Sequence, residues 1–506
     1  MKKFLCATIV GLALLTLTAC GGNDTIVYSE DGASELNTSP IDHDMARYLF
    51  DRLDELWDAD DGYLWGRSLH APFVIADTQT RYAVANMADV DGEIFTRQGN
   101  VYVGFIPETQ PAYFTPWAEN PEDVVTEVVD VGIFISNNNV NFGGQNWGVL
   151  TWNYVVDGWS DTESLLQTAT HKTFHAIQSH ILEGERPWGH NTHIDKLDNA
   201  ISVRLELNAL QYALRSTGDT RLTAVQDALS IRAKRQEAND GAQRSEAYLE
   251  ILEGVTVYND AMLNFDNLDD RLTFIENFID SAVSAGGQLS SFGYYSGAMY
   301  ALLLDEFGVN WRNNLAWEAD LAAILIEALN FELIPFDEIE LERYGYSEIR
   351  LFEEAWLIEI DRLAQVAAEA LSGPLLLIYA MGEFNYFSDE AEIQSLTLHG
   401  TQINNASEFD YGDETITLLV HRDEQTVFYG NFTYTTHFGE VELTGGHLML
   451  WRVMFRHGIS AENMVIDGNR ITTPTWTLTL NDGYELRELT GGHFAIGYTG
   501  ENLQNT

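Results

Sequence analysis

Two cysteines in 506 residues, Cys6 and Cys20, exclude a disulfide framework and leave folding to an apolar core. Positive charge is scarce as well: 27 Lys and Arg stand against 77 Asp and Glu, a net charge of −50, and only five of the cations are lysines (2, 3, 172, 196 and 234). The acidic residues are spread along the chain instead of forming a tail, so nucleic acid is excluded as a partner and anionic membrane surfaces are disfavoured. The apolar stretch Phe4 to Leu17 falls short of the roughly 20 residues that span a bilayer. No G-x-S-x-G elbow, P-loop lysine or G-x-G-x-x-G spacing is present, which removes the commonest serine-hydrolase and nucleotide-binding designs. What the chain does have is 45% hydrophobic and 12% aromatic residues, enough to build two or three domains.

Periodicity divides it. Met1-Lys2-Lys3 and the apolar stretch after them read as an export signal over 1–19, and the polar, Gly/Ser/Asp-rich residues beyond it suit a tether over 20–42. "HDMARYLFDRLDELWD" places Met45, Leu49, Leu53 and Leu56 near helical spacing, and "PFVIADTQTRYAVANM", "GNVYVGFIP", "VVDVGIFIS" and "WGVLTWNYVV" read as strands, giving an N-terminal α/β region over 43–160. Residues 161–372 carry long helical stripes with few prolines, and 373–506 return to alternating runs with Gly turns. The expected class is α+β: a helical domain with an N-terminal β region and a C-terminal all-β domain of sandwich or small-barrel type.

Leu17-Thr18-Ala19-Cys20 resembles the lipobox of bacterial lipoproteins. The resemblance implies that Cys20 becomes the lipidated first residue and that the protein meets membrane through that anchor only. With Gly21 next to the cysteine, it also implies the outer membrane of a bacterial envelope.

Five of thirteen histidines (171, 175, 180, 190 and 193) lie within one stretch. In "TATHKTFHAIQSH", His171 and His175 are four apart, so on a helix both imidazoles project from one face toward a single ion. That helix can start at Ser160 or Asp161, with Glu163 in its first turn. A third ligand is available from Glu206 in "SVRLELNALQYAL" or from Glu253 in "YLEILEGVTVY", where Gly254 lets a helix or ion approach closely. The order H-x-x-x-H, R-L-E-x-x-A-L, L-E-x-x-E-G-x-x-x-Y and G-Y-x-S-G-A-x-Y resembles the gluzincin metallopeptidases, and E-G-x-x-x-Y is similar to the zinc-ligating N-E-G-F-A-x-Y segment of their aminopeptidase branch. This resemblance covers residues 150 to 305. It implies Zn2+ held by His171, His175 and Glu253, with Glu206 in reserve, a peptide or protein substrate, and an oxyanion-stabilising tyrosine at Tyr295 or Tyr294.

The departure from that pattern is Lys172, which stands where the family motif HExxH carries its catalytic Glu. A lysine is ordinarily a cation and cannot take a proton from water. Beside a divalent ion at about 6 Å it would feel a repulsion on the order of 5 kcal/mol at an effective dielectric of 20. Either Lys172 is forced neutral and becomes an unusual base, or its stem carries the ammonium to Glu163, Glu206 or Glu250 and the site has no base at that position, unless the spare carboxylate of the Glu206/Glu253 pair lies near the bound water and serves as one. Two functions are open to such a site: a peptide hydrolase with an altered or missing base, or an inactive pseudo-peptidase that binds peptide, protein or glycan. Among other segments, "NNNVNFGGQNWG" reads as a turn or a lip over a cleft, and "WDADDGYLWG" and "DVDGE" as solvated turns. "HNTHID" reads as an exposed loop or a further ligand source, and "SIRAKRQEA" as either a solvated face or partners for Glu206 or Glu250.

Overall fold

The computed structural model describes residues 41–114, 127–159, 161–284 and 289–370, apart from positions 134, 185, 188–190 and 314, and, between 375 and 498, the strands together with the residues that join them from 461 to 481, apart from 462. The signal segment, Cys20 and the tether up to residue 40 lie outside the described residues, as does His190. No described helix is long and apolar enough to cross a membrane.

Helix α1 (His43–Asp60) starts where the Asp42 carboxylate accepts from the amides of Asp44 and Met45, at 2.8 and 3.2 Å. Its buried stripe is Ala46, Leu49, Phe50, Leu53 and Trp57, so Leu49 and Leu53 lie in it as expected while Met45 and Leu56 sit at its margin. The chain then forms β1 (Phe73–Ala76), β2 (Tyr82–Ala85), β3 (Thr96–Gln98) and β4 (Val101–Phe105). The hairpin β5 (Thr109–Phe114) and β6 (Glu127–Gly132) comes next, and then β7 (Asn139–Phe142) and β8 (Gln145–Thr151). Six of these make a sheet in the order β3-β4-β2-β1-β8-β7, antiparallel except for β1 beside β8. Both faces are covered, which is why β1 reads as an unbroken apolar run: Phe73 and Ile75 join the core shared with the helices, while Val74 and Ala76 pack with Phe95, Phe142 and Trp147 on the other side. The helical core is thus continuous across residue 160.

The run expected as one strand, "WGVLTWNYVV", is half strand and half helix. Asn137 Oδ1 takes the Thr151 amide at 2.8 Å and ends the ladder, and α2 (Trp152–Gly158) then buries Trp152 and Val155, three apart. A short apolar run does not by itself distinguish the two periods. The next helices are α3 (Thr162–Ile181), α4 (Leu197–Leu214), α5 (Gly218–Glu237) and α6 (Ala242–Leu249). A single π turn, Glu250–Gly254, joins α6 to α7 (Val255–Asn264), and α8 (Leu268–Ser284), α9 (Phe292–Glu306), α10 (Leu321–Leu329) and α11 (Tyr346–Ala370) complete the set.

The architecture is α+β, and beyond residue 375 only strands are described. Among the described residues they form one eleven-stranded sheet, built around the hairpin Gln425–Thr436 with Gly439–Trp451, and a separate pair, Ser407–Tyr411 with Glu414–Leu418.

One contact positions the site. A Cβ on Gly254 would come within 2.5 Å of Gly293 O and 2.6 Å of Gly297 Cα, so α9 crosses the π turn backbone to backbone. The helix approach that the sequence allowed at Gly254 is therefore made by α9. Neither contact atom can swing aside, and Gly254→Ala should therefore cost about 1–3 kcal/mol of stability, read as a lower denaturant midpoint with unchanged slope.

Candidate metal centre

Helix α3 begins where Asp161 caps it: the carboxylate accepts from the Ser164 amide at 3.4 Å and its hydroxyl at 2.7 Å. The helix is tied to the sheet at the level of the histidines. Asn139 Nδ2 donates to Lys172 O at 2.8 Å, Asn146 Nδ2 reaches the carbonyls of His175 and Ala176 at 3.4 Å, and a Cβ on Gly148 would meet Lys172 O at 2.8 Å. The polar run "NNNVNFGGQNWG" is therefore the β7–β8 hairpin, and two of its amides hold the histidine helix in place.

His171, His175 and Glu253 converge. His175 Nε2 lies 3.2 Å from His171 Nε2 and 3.1 Å from Glu253 Oε2, and His171 Nε2 lies 3.5 Å from the same oxygen. A tetrahedral ion with ligands about 2.0–2.1 Å away sets its ligand atoms about 3.3 Å apart, so these three edges fit a zinc-sized ion. Among the described residues this is the only group of three or more His, Cys, Asp or Glu side chains so placed.

The other ring nitrogens decide what the three atoms offer. His171 Nδ1 faces Asp260 Oδ2 at 2.8 Å, and His175 Nδ1 faces Gln178 Oε1 at 3.0 Å. Gln178 Nε2 donates to the carbonyls of Ile251 and Leu252, both at 2.9 Å, which fixes its oxygen as the acceptor toward His175. Both Nδ1 atoms therefore donate, and in the neutral rings both Nε2 atoms carry lone pairs. Two imidazole lone pairs and a carboxylate meeting at about 3 Å repel one another unless a proton or a cation lies between them. Without a metal the histidines are the charges Glu253 meets: burial opposes its ionisation, yet His175 and His171 hold it well below the usual carboxylate range. Burial likewise opposes charge on His171, and Asp260, then Glu253, outweigh it and raise the ring above its ordinary value.

Other expected members fall elsewhere. Glu206 is fully buried away from the histidines. Its carboxylate takes the Tyr300 hydroxyl at 2.7 Å and pairs with Arg235 Nη2 at 2.6 Å and Arg232 Nη1 at 3.3 Å, so it serves neither as ligand nor as spare base. Tyr295 is buried without a polar contact to the site, and burial raises its phenol to about 12. Tyr294 is the tyrosine that reaches the centre: its ring lies parallel to His171 with centroids 6.3 Å apart, and burial, with the neighbouring Glu253 carboxylate second, holds its phenol well above the usual range. Lys172 makes no ion pair within 4 Å among the described residues, neither with Glu163 nor with Glu206 or Glu250, and the last two pair with the arginines of "SIRAKRQEA". Burial lowers its pKa, with Glu253 and Asp260 pulling the other way.

Asp260 and Gln178 were not singled out in the sequence, although each carried a signal. Asp260 lies seven residues after Glu253, two helical turns along one face, and Gln178 lies three after His175. His193 is neither exposed nor a ligand; it lies 2.7 Å from Glu246 Oε1. "DVDGE" is also more than a solvated turn, since the buried Asp89 accepts from the amides of Glu93 and Phe95 at 3.0 and 2.9 Å. No protein-family model, curated protein or solved structure matches the chain.

Proposed function

We propose that the protein is a zinc-binding hydrolase of the gluzincin type that acts on peptides, anchored by lipid at Cys20 to the outer membrane of a bacterial envelope. The observation that carries this reading is the convergence of His171 Nε2, His175 Nε2 and Glu253 Oε2, with both imidazoles oriented from behind by Asp260 and Gln178. Orienting partners of this kind accompany metal-binding imidazoles.

Zinc bound there would supply a Lewis acid that acidifies water and polarises a peptide carbonyl. The chain's own residues divide the remaining work. Asp260 and Gln178 keep both Nδ1 atoms protonated and both Nε2 atoms free to ligate. Tyr294, kept as a neutral phenol by burial and by Glu253, can donate toward an oxyanion. Lys172, its pKa lowered by burial, takes the place of the motif carboxylate as a weak proton acceptor. Because Glu206 is committed to the arginines, a second reading is supported as well: a non-catalytic protein that retains the ion and binds peptide, protein or glycan.

The mature chain is expected to bind one equivalent of zinc, and His175→Ala to bind none tightly. Gln178→Leu, which leaves all three ligands in place, is expected to weaken zinc by about 10- to 100-fold in chelator competition. A wild-type chain that takes up no zinc at saturating metal would end the metallopeptidase reading.

A further inference from the structure

We infer that Arg232 is a positioning residue for the metal centre, acting on Glu253 through Glu250; the inference rests on the zinc reading above. The continuous helix from Ala242 to Asn264 carries four buried or half-buried carboxylates: Glu246, Glu250, Glu253 and Asp260. At 100° per residue, an unbroken α-helix would crowd all four into a stripe about 80° wide. The π turn adds one residue at Glu250–Gly254 and rotates the helix on its C-terminal side by about 100° relative to the helix on its N-terminal side. Glu246 and Glu250 consequently face the guanidiniums of α5, whereas Glu253 and Asp260 face the imidazoles of α3.

A π turn is rare and needs outside support. Here that support grips Glu250. Arg232 donates through both terminal nitrogens, Nη1 to Oε1 at 2.6 Å and Nη2 to Oε2 at 2.9 Å, and Ser296 Oγ donates to Oε1 at 2.6 Å. A Cβ on Gly297 would sit 2.8 Å from Glu250 O, so the backbone is gripped as well. Arg232 is in turn held by Glu206 at 3.3 Å and Asp320 at 3.7 Å. Both groups that bond the Glu250 side chain are buried, and Glu253 comes three residues later in the same turn. If Glu250 shifts, the turn that aims Glu253 shifts with it, although Arg232 touches no ligand.

Arg232→Lys keeps the charge and loses the two-pronged geometry. On the full mature chain, it should weaken zinc about 10- to 100-fold in chelator competition, and it should change the visible absorption of the Co2+-loaded protein at saturating metal, a signature of coordination geometry that lost stability alone does not move. Ser296→Ala leaves the ion pair intact and should produce a several-fold loss of the same kind; it decides the matter if Arg232→Lys does not fold. Folded variants with wild-type zinc affinity and an unchanged Co2+ spectrum overturn the positioning role while leaving the zinc site standing. A wild-type chain that binds neither metal overturns both.

Discussion

Lys172→Glu should raise peptide turnover by about 10²- to 10⁴-fold at neutral pH, the usual contribution of a positioned general base. The substitution restores an anion one residue after His171, where the chain now places a half-buried lysine without an ion-pair partner among the described residues. Two side effects can be weighed beforehand. The new carboxylate would sit near Glu253 and Asp260, which disfavours it electrostatically in the metal-free protein, so the variant should be less stable until zinc is added. With zinc present the ion's double charge outweighs that repulsion, and stability should recover with metal concentration. Lys172→Met separates the two roles open to the native lysine. Turnover on a mixed peptide library should fall below the wild-type level if neutral Lys172 accepts the proton, whereas an unchanged rate would show that the base lies elsewhere. A zinc-loaded Lys172→Glu protein that still cleaves nothing would favour the binding-protein reading, because metal, ligands and base would all be present without chemistry.

The parts of this centre written in local spacing were legible in the sequence. The His171/His175 pair, the Asp161 start of α3 and the candidate Glu253 beside Gly254 all come from helix geometry, which the chain carries within a few residues. The choice between Glu206 and Glu253 was not local. Both lie on helices at reasonable spacing, and what separates them is that Arg232 and Arg235 reach Glu206 from α5, a partnership proposed for "SIRAKRQEA" only as one of two options. The sequence left the tyrosine open between Tyr295 and Tyr294 for a related reason. Tyr294 and Tyr295 are adjacent, about 100° apart on α9, and only the packing of α9 against the π turn determines which one meets His171. The π turn itself left no sequence mark, because "LEILEGVTVY" reads equally well as regular α-helix. The strand expected through Val156 ended at Thr151 because a side chain fourteen residues earlier, Asn137, closes the ladder.

The second large effect is expected at Arg235, which is fully buried beside two carboxylates. It pairs with Glu246 through Nε at 2.8 Å and Nη2 at 2.9 Å, and with Glu206 at 2.6 Å. Arg235→Met fills most of the volume but strands buried negative charge, and removing one partner from such a pair costs about 3–5 kcal/mol. The loss should depend on pH in a defined direction. Burial pushes the Glu246 carboxyl up, yet Arg235, assisted by His193 and Arg232, overrides it and holds the group well below its ordinary 4.5. A carboxyl lowered on folding contributes stability above its unfolded value and loses it as pH falls through the folded one. In Arg235→Met that contribution is gone at every pH. The gap between variant and wild type should therefore be widest near neutral pH and narrow as pH drops, first as the stranded carboxyls of the variant take up protons and then below about 4.5, where the wild type begins to lose its own contribution. Glu250 behaves oppositely. Burial, opposed by Arg232, pushes it up to about 7, so its ionisation weakens the fold as pH rises from 4.5 toward that value. Both proteins carry a slope of this sign, so the narrowing below about 4.5 is the part that reports Arg235. Equal stability of the two proteins at pH 7 would mean that Glu206 and Glu246 are charged without needing Arg235, contrary to the contacts that bind all three.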